Sequence, residues 1–79
     1  MDQPKTLTFG QRAVRVSFNP SGLPGVDETK QKIADLIDYF HELRNKPTTS
    51  EELVYQCGQA ITKLREASMW GVGAVTWKD

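Results

Sequence analysis

The feature that most constrains this chain is an uncharged segment close to its end. Residues 67–77, ASMWGVGAVTW, contain both tryptophans of the chain and no charged side chain. In a helix these apolar side chains would point in several directions, and a helix that is apolar on all sides is buried on all sides. A core built from only 79 residues is small. The sequence therefore predicts that other copies of the chain cover this segment, in an obligate homo-oligomer.

The cysteine and histidine content leaves few other ways to stabilise so small a domain. Cys57 is the only cysteine, so no intrachain disulfide can form. Together with the only histidine, His41, it cannot complete a four-ligand metal site. We therefore expect no metal, no cofactor and stabilisation by assembly. The predicted interface residues are Met69, Trp70, Val72 and Trp77.

Two amphipathic segments predict a pair of helices. Apolar residues recur at helical spacing over 26–45, where Asp27 is the predicted N-cap. They recur again over 49–75, where Thr49 and Glu52 have the spacing of a capping box. The connection between the segments is short and contains Pro47, which disfavours helix at the preceding residue. We expect the two helices to form an antiparallel hairpin.

The N-terminal part, residues 1–25, is predicted to be extended. The stretch TLTFGQRAVRVSFN alternates apolar and polar side chains, which is typical of a strand with one apolar face. The stretch NPSGLPG that follows predicts a loop. The predicted fold is thus mainly α, a single domain over 1–79 that joins a short extended N-terminal segment to a helical hairpin.

The charge balance argues against some classes of partner. Ten basic and ten acidic side chains give a formal net charge of zero, whereas domains that bind DNA usually carry a basic excess. The stretch MDQPKTLTFG lacks the apolar centre of a signal peptide, and no apolar run is long enough to span a bilayer. We expect no DNA partner, no membrane partner and a cytoplasmic location.

The N-terminal region nevertheless contains side chains suited to a small anionic ligand. Arg12 and Arg15 flank an apolar stretch, and Lys30 lies in the first turns of the first predicted helix. Arginine and lysine bind phosphate oxygens, Phe18 could stack on a base, and the amide of Asn19 could pair with adenine. In the alternative interpretation Phe18 belongs to the core and the arginines are solvated. Residue spacing alone favours that alternative.

The sequence contains no recognisable catalytic constellation. His41 falls on the polar side of the first helix, and Cys57 falls on an apolar stripe without a paired histidine. Asp35 and Asp38 are one turn apart and are expected to form a solvated face. The stretch GVG lacks the Lys-Ser/Thr pair of a phosphate loop. We therefore predict that the protein is not an enzyme.

Three stretches of the sequence resemble a family of small phage proteins. TKLREASMWGVGAV, together with FNPSG and VDETKQKIADLID, is similar to the anti-CBASS cyclic-nucleotide sponges and the related Thoeris-antagonist sponges, over about Arg12 to Ala74. The resemblance implies interlocked hairpins that assemble into a hexamer in the infected bacterial cell. It also implies sequestration, without cleavage, of cyclic di- and trinucleotides or cyclic ADP-ribose derivatives, so that immune signalling is blocked.

The resemblance also implies roles for individual residues. Phe18 and Lys30 match by position the aromatic and basic residues of the family's dinucleotide pocket between protomers, with Phe18 in place of a tyrosine. The family's trinucleotide site uses a basic residue where this chain has Ile61, which leaves Lys63 or Arg65 as possible substitutes. The strand-like N-terminal segment points to the Thoeris-antagonist branch, so the ligand class stays open.

Two other function classes remain as alternatives. The chain could be a small structural or adaptor oligomer that binds a host protein, or a phosphodiesterase that destroys the same messengers. The second alternative needs a metal cluster or paired histidines, and the sequence has only one histidine. Recovery of an intact ligand from the denatured protein would indicate a sponge, cleavage products an enzyme, and no retained ligand a scaffold.

Overall fold

The computed structural model describes residues 6–78, which form three helices. Helix α1 spans Phe9–Ala13, α2 spans Pro24–Arg44 and α3 spans Glu51–Thr76. The prediction of a mainly helical fold is confirmed, and the two long helices follow the two amphipathic segments. None of the helices within residues 6–78 has an apolar stretch sufficient to cross a membrane.

The prediction of an extended N-terminal segment is wrong for its described part, and residues 1–5 lie outside the described residues. The short helix α1 begins with a capping box. The backbone N–H of Gln11 donates to the Thr8 hydroxyl at 3.1 Å, and the Thr8 N–H donates to the Gln11 side chain at 3.0 Å. These two bonds satisfy donors that an isolated strand would leave unpaired, so local capping prevails over the alternating pattern.

Helix α1 lies directly against α2 because Gly10 allows a close approach. The N–H of Gly10 donates to Oδ1 of Asp38 at 2.6 Å, and Gly10 is buried. A Cβ atom at this position would overlap the main-chain oxygen of Ala34. Only glycine, which has no side chain, fits this contact. The contact therefore sets the direction in which the end of α1 points.

The helix caps differ from the predicted ones. Helix α2 begins at Pro24 after Leu23, which makes no side-chain cap, so Asp27 lies inside the first turn. Proline suits this position because its missing N–H would be unpaired there in any case. In α3 the cap is Ser50, whose hydroxyl accepts from the Leu53 N–H at 3.2 Å. Thr49 donates to main-chain oxygens of the preceding turn instead.

The start of α2 packs beside the end of α3 through small residues. Gly25 lies against Val75, and Gly71 leaves room for the methyl group of Thr29. The core extends from this contact between the three helices. Its buried members are Val14, Ala34, Ile37 and Ile61, with Phe9, Ala13, Val16, Ile33, Phe40 and Leu64 packed around them.

The molecule is one helix layer thick. Its Cα atoms extend 45 × 41 × 12 Å, and their radius of gyration is 14.4 Å, whereas a compact domain of this length has about 11.6 Å. A single layer has no second layer to cover its faces. Large apolar side chains consequently stay exposed, and Met69, Trp70 and Trp77 are each about three-quarters accessible.

A candidate anion-binding groove

A groove of about 470 Å³ lies where the end of α1 meets α2 and α3. Three of the side chains that line it are cationic, and no carboxylate is among them. We call it the cationic groove, and besides Ala13 and Val14 it is lined by Arg15, Lys30, Arg65, Ser68, Met69 and Val72. It brings together Arg15 and Lys30, predicted for one site, and Arg65, predicted for another.

Arg15 reaches the groove from an unusual backbone position. It follows the C-cap of α1 with φ = 55°, the left-handed conformation that most often belongs to glycine. The N–H of Val16 donates to the Gln11 oxygen at 3.0 Å, and the N–H of Arg15 donates to the Arg12 oxygen at 3.2 Å. These are the two bonds of a Schellman motif. The helix end therefore determines the direction of the Arg15 side chain, which is exposed.

Lys30 lies on the floor of the groove and is only 6% exposed. Its Nζ donates to the main-chain oxygen of Arg15 at 3.0 Å and to that of Phe18. Nζ also lies 5.5 Å from the centre of the Phe18 ring. The ammonium is thus satisfied by main-chain oxygens and an aromatic face, without a carboxylate.

The α3 side of the groove is a single helix face. Arg65, Ser68, Met69 and Val72 are spaced by three and four residues, which places them one above another. Ser68 is buried, whereas Arg65 is exposed. The wall therefore combines a cation and a hydroxyl with two apolar side chains.

The groove carries positive charge that is not neutralised by ion pairs. The ion pair found within the described residues joins Lys32 to Glu28 at 2.8 Å, and both of its side chains are exposed on α2. The hydrogen bond and the charge of Lys32 lower the pKa of Glu28, and those of Glu28 raise the pKa of Lys32. Neither Arg15 nor Arg65 has such a partner in this part of the chain. An anion in the groove would therefore be attracted without displacing a carboxylate.

Phe18 and Arg12 lie on an adjacent surface. Together with Arg15 they line a shallow depression of about 470 Å³ on the outer side of the α1–α2 connection. Phe18 is 61% exposed, so the part of the alternative interpretation that places it in the core is wrong, whereas Arg12 and Arg15 are exposed, as that interpretation expects. Arg15 lies between the depression and the cationic groove and is common to both.

Asn19 is engaged in the loop that leads into α2. Its amide nitrogen donates to the Leu23 oxygen and to Oδ1 of Asp27, both at 3.0 Å. Its amide oxygen accepts from the Ser21 hydroxyl at 2.7 Å and from the Gly22 N–H at 3.1 Å. An adenine edge would have to displace these bonds, so the predicted ligand contact competes with a loop-forming role.

The two residues predicted for a second site do not lie together. Lys63 borders a depression beside Glu66 and Trp70, whereas Arg65 lines the cationic groove and also a depression beside Phe9 and Arg44. Ile61 is buried in the core at 4% exposure. The described structure therefore does not join Lys63 and Arg65 into one site.

Sequence reasoning missed two features of this region. The first is that Arg65 joins Arg15 and Lys30, because the register between α3 and the other helices cannot be read from spacing. The second concerns His41, which falls on the polar side of the first predicted helix but is half-buried in the structure. Its ring stacks on Phe9 with centroids 4.1 Å apart, and Arg44 lies 5.4 Å over the same Phe9 ring. The histidine thereby helps to hold α1 on α2.

Neither metal binding nor similarity to known proteins gives further information about this site. Within residues 6–78, no group of three or more His, Cys, Asp or Glu side chains could hold a metal ion. Comparison of the chain with models of protein families, with curated proteins and with solved structures gives no match.

Proposed function

We propose that this protein is a phage immune-evasion sponge that binds cyclic oligonucleotide or cyclic ADP-ribose-type messengers without cleaving them. Its action would block CBASS or Thoeris signalling in the cytoplasm of the infected bacterial cell. The observation that carries the proposal is the convergence of Arg15, Lys30 and Arg65 in one groove that has no carboxylate in its lining. This arrangement fits the phosphates of such a messenger.

The chemistry of the groove suits a ligand with more than one phosphate and a base. The guanidinium groups of Arg15 and Arg65 can each bind phosphate oxygens in a bidentate manner. The exposed ring of Phe18, on the adjacent surface, can stack on a base. A groove of about 470 Å³ falls in the size range of small-molecule sites, about 300–1,000 Å³.

We further propose that the working unit is an antiparallel hairpin that assembles into an interlocked homo-oligomer, a hexamer by the family resemblance. The support is the single-layer shape of the chain and the exposure of Met69, Trp70 and Trp77. Met69 and Val72 belong both to the predicted interface and to the lining of the groove. A second copy packed there would close the groove, so the ligand would be held between protomers.

Sequestration rather than turnover is supported by what the groove offers. Its lining supplies guanidinium and ammonium groups, a hydroxyl and apolar side chains. Hydrolysis of a phosphodiester generally needs a positioned base or a metal ion. A binding protein needs only affinity, which these side chains can provide.

The test uses a panel of cyclic dinucleotides, cyclic trinucleotides and cyclic ADP-ribose isomers. We expect at least one to stabilise the protein, by about 2.7 kcal/mol at one hundred times its dissociation constant. The bound ligand is then recovered after denaturation and identified by mass. Intact recovery supports a sponge, whereas cleavage products or failure of every compound to bind would refute it.

The alternative is a small adaptor oligomer that binds a host protein. It is favoured by exposed apolar side chains outside the predicted interface, namely Leu36, Tyr39 and Tyr55. Under this alternative the nucleotide panel has no effect on stability. Substitutions on the outer faces of α2 and α3 would then abolish function while the assembly stays intact.

A further inference from the structure

Lys30 contacts the main chain of the residues that are proposed to bind the ligand. An ammonium group has three N–H donors. Two of those on Lys30 bond to the carbonyl oxygens of Arg15 and Phe18. The side chain is 6% exposed, so the charge is held close to these oxygens.

The two carbonyls belong to one turn. The N–H of Phe18 donates to the Arg15 oxygen at 2.9 Å, so this oxygen accepts from Phe18 and from Lys30 together. The same turn begins with the left-handed backbone of Arg15, a conformation that persists only when the surrounding structure enforces it. Lys30 supplies part of that enforcement, because it ties both ends of the turn to α2.

We propose that Lys30 is a positioning residue of the ligand site, one that orients Arg15 and Phe18 rather than binding phosphate itself. This inference rests on the proposed function. Lys30 is 6% exposed and two of its three N–H donors are bonded to carbonyl oxygens, so little of the ammonium is accessible to a phosphate. Arg15 and Arg65 are exposed and have no carboxylate partner among residues 6–78, so they are free to meet the phosphates.

A double-mutant cycle separates positioning from direct contact. Lys30→Met is measured by calorimetry against the tightest ligand of the panel, in the wild type and in an Arg15→Gln/Phe18→Ala background. If Lys30 acts through these residues, affinity falls about tenfold in the wild type and less than about twofold in the double variant, because contributions of coupled residues do not add. An equal loss in both backgrounds would overturn the inference.

A matched control is available on the same helix. Lys32→Met removes the same charge from an exposed position of α2, and it should leave affinity unchanged. Lys30→Arg keeps a cation that can donate to both carbonyls, and it should recover most of the affinity lost in Lys30→Met. If Lys30→Met does not fold, the affinity of Lys30→Arg is measured instead. Loss of binding in Lys30→Arg as large as that in Arg15→Gln would contradict a positioning role.

Spectroscopy gives a readout that a general loss of stability would not mimic. In Lys30→Met the backbone amide resonances of residues 15–18 should shift, while those of α3 beyond the groove keep their positions. A change spread over the whole spectrum would indicate a fold defect and contradict the inference.

If Arg15→Gln/Phe18→Ala itself binds with wild-type affinity, the proposed site fails and the inference fails with it. Equal losses of affinity in both backgrounds of the double-mutant cycle would refute the inference and leave the proposed site standing.

Discussion

At the scale of single residues, the most informative position is Arg15. A non-glycine residue in the left-handed region costs on the order of 1–3 kcal/mol, and the chain keeps an arginine there with φ = 55°. Glycine would suit the Schellman motif better. The retained side chain lines the cationic groove. The proposed role of the guanidinium in binding would account for this strained residue, which stability alone does not explain.

Arg15→Gly should separate stability from binding. We expect the variant to gain up to about 1 kcal/mol in the free energy of unfolding, because glycine relieves the strain. It should lose about 1.5–3 kcal/mol of ligand affinity with the charge-assisted contact. Chemical denaturation and calorimetry measure the two quantities.

Arg12→Gly is the matched control for this substitution. Arg12 lies inside α1, where glycine costs about 1 kcal/mol relative to a good helix former, so this variant should lose stability. A destabilised Arg15→Gly that binds the ligand normally would contradict the role given to Arg15.

At the scale of secondary-structure elements, the placement of α1 decides the geometry of the groove. Gly10 lies against the main chain of Ala34, and this contact sets the position of the turn that carries Arg15. Gly10→Ala should cost about 1–3 kcal/mol or more by overpacking. It should also weaken ligand binding, because α1 must move away from α2. Denaturation and titration of the variant test both effects.

Gly58→Ala provides the comparison for Gly10→Ala. A Cβ at Gly58 would meet no atom within 4 Å, and the residue lies inside α3. The substitution should stabilise the protein by up to about 1 kcal/mol through helix propensity. Equal effects of the two alanines would show that α1 is not closely packed on α2.

The same elements show what the sequence could predict. Helices α2 and α3 follow from apolar periodicity, which extends over many helical turns. An error in a cap, such as the prediction of Thr49 where Ser50 is the cap of α3, leaves this pattern unchanged. Helix α1 has only five residues, too few for a helical period to stand out from an alternating pattern. Its capping box, Thr8 with Gln11, was the available signal. The cationic groove depends on the register of three helices, which periodicity does not encode.

At the scale of the whole molecule, shape and composition lead to the same expectation. A layer 12 Å thick exposes side chains on both of its faces, and Met69 and Trp70 in the uncharged end of α3 are about three-quarters accessible although Gly71 and Val75 pack against α2. Solvent-exposed apolar patches of this kind usually mark an interface. The assembly that the sequence predicts would bury them and would also close the cationic groove.

Trp70→Glu tests this expectation most directly. The Trp70 side chain is 74% exposed in the single chain, so glutamate there should disturb little of the packing within that chain. In an assembly it would introduce a charge into a dry interface, which is strongly unfavourable. We therefore expect sedimentation to show a closed oligomer for the wild type and loss of that oligomer for Trp70→Glu, and circular dichroism to show that the separated chain loses helical content, as expected for an obligate oligomer.

The control for Trp70→Glu is Tyr55→Glu, which changes another exposed aromatic residue of α3 outside the predicted interface. Tyr55 is 62% exposed, and its replacement should leave the oligomer intact. Ligand affinity should fall together with assembly in Trp70→Glu and stay unchanged in Tyr55→Glu, because the neighbouring copy is expected to complete the groove beside Met69. A wild-type protein that sediments as a folded monomer at micromolar concentration would refute the assembly. A dissociated Trp70→Glu variant that still binds tightly would show that one chain suffices to hold the ligand.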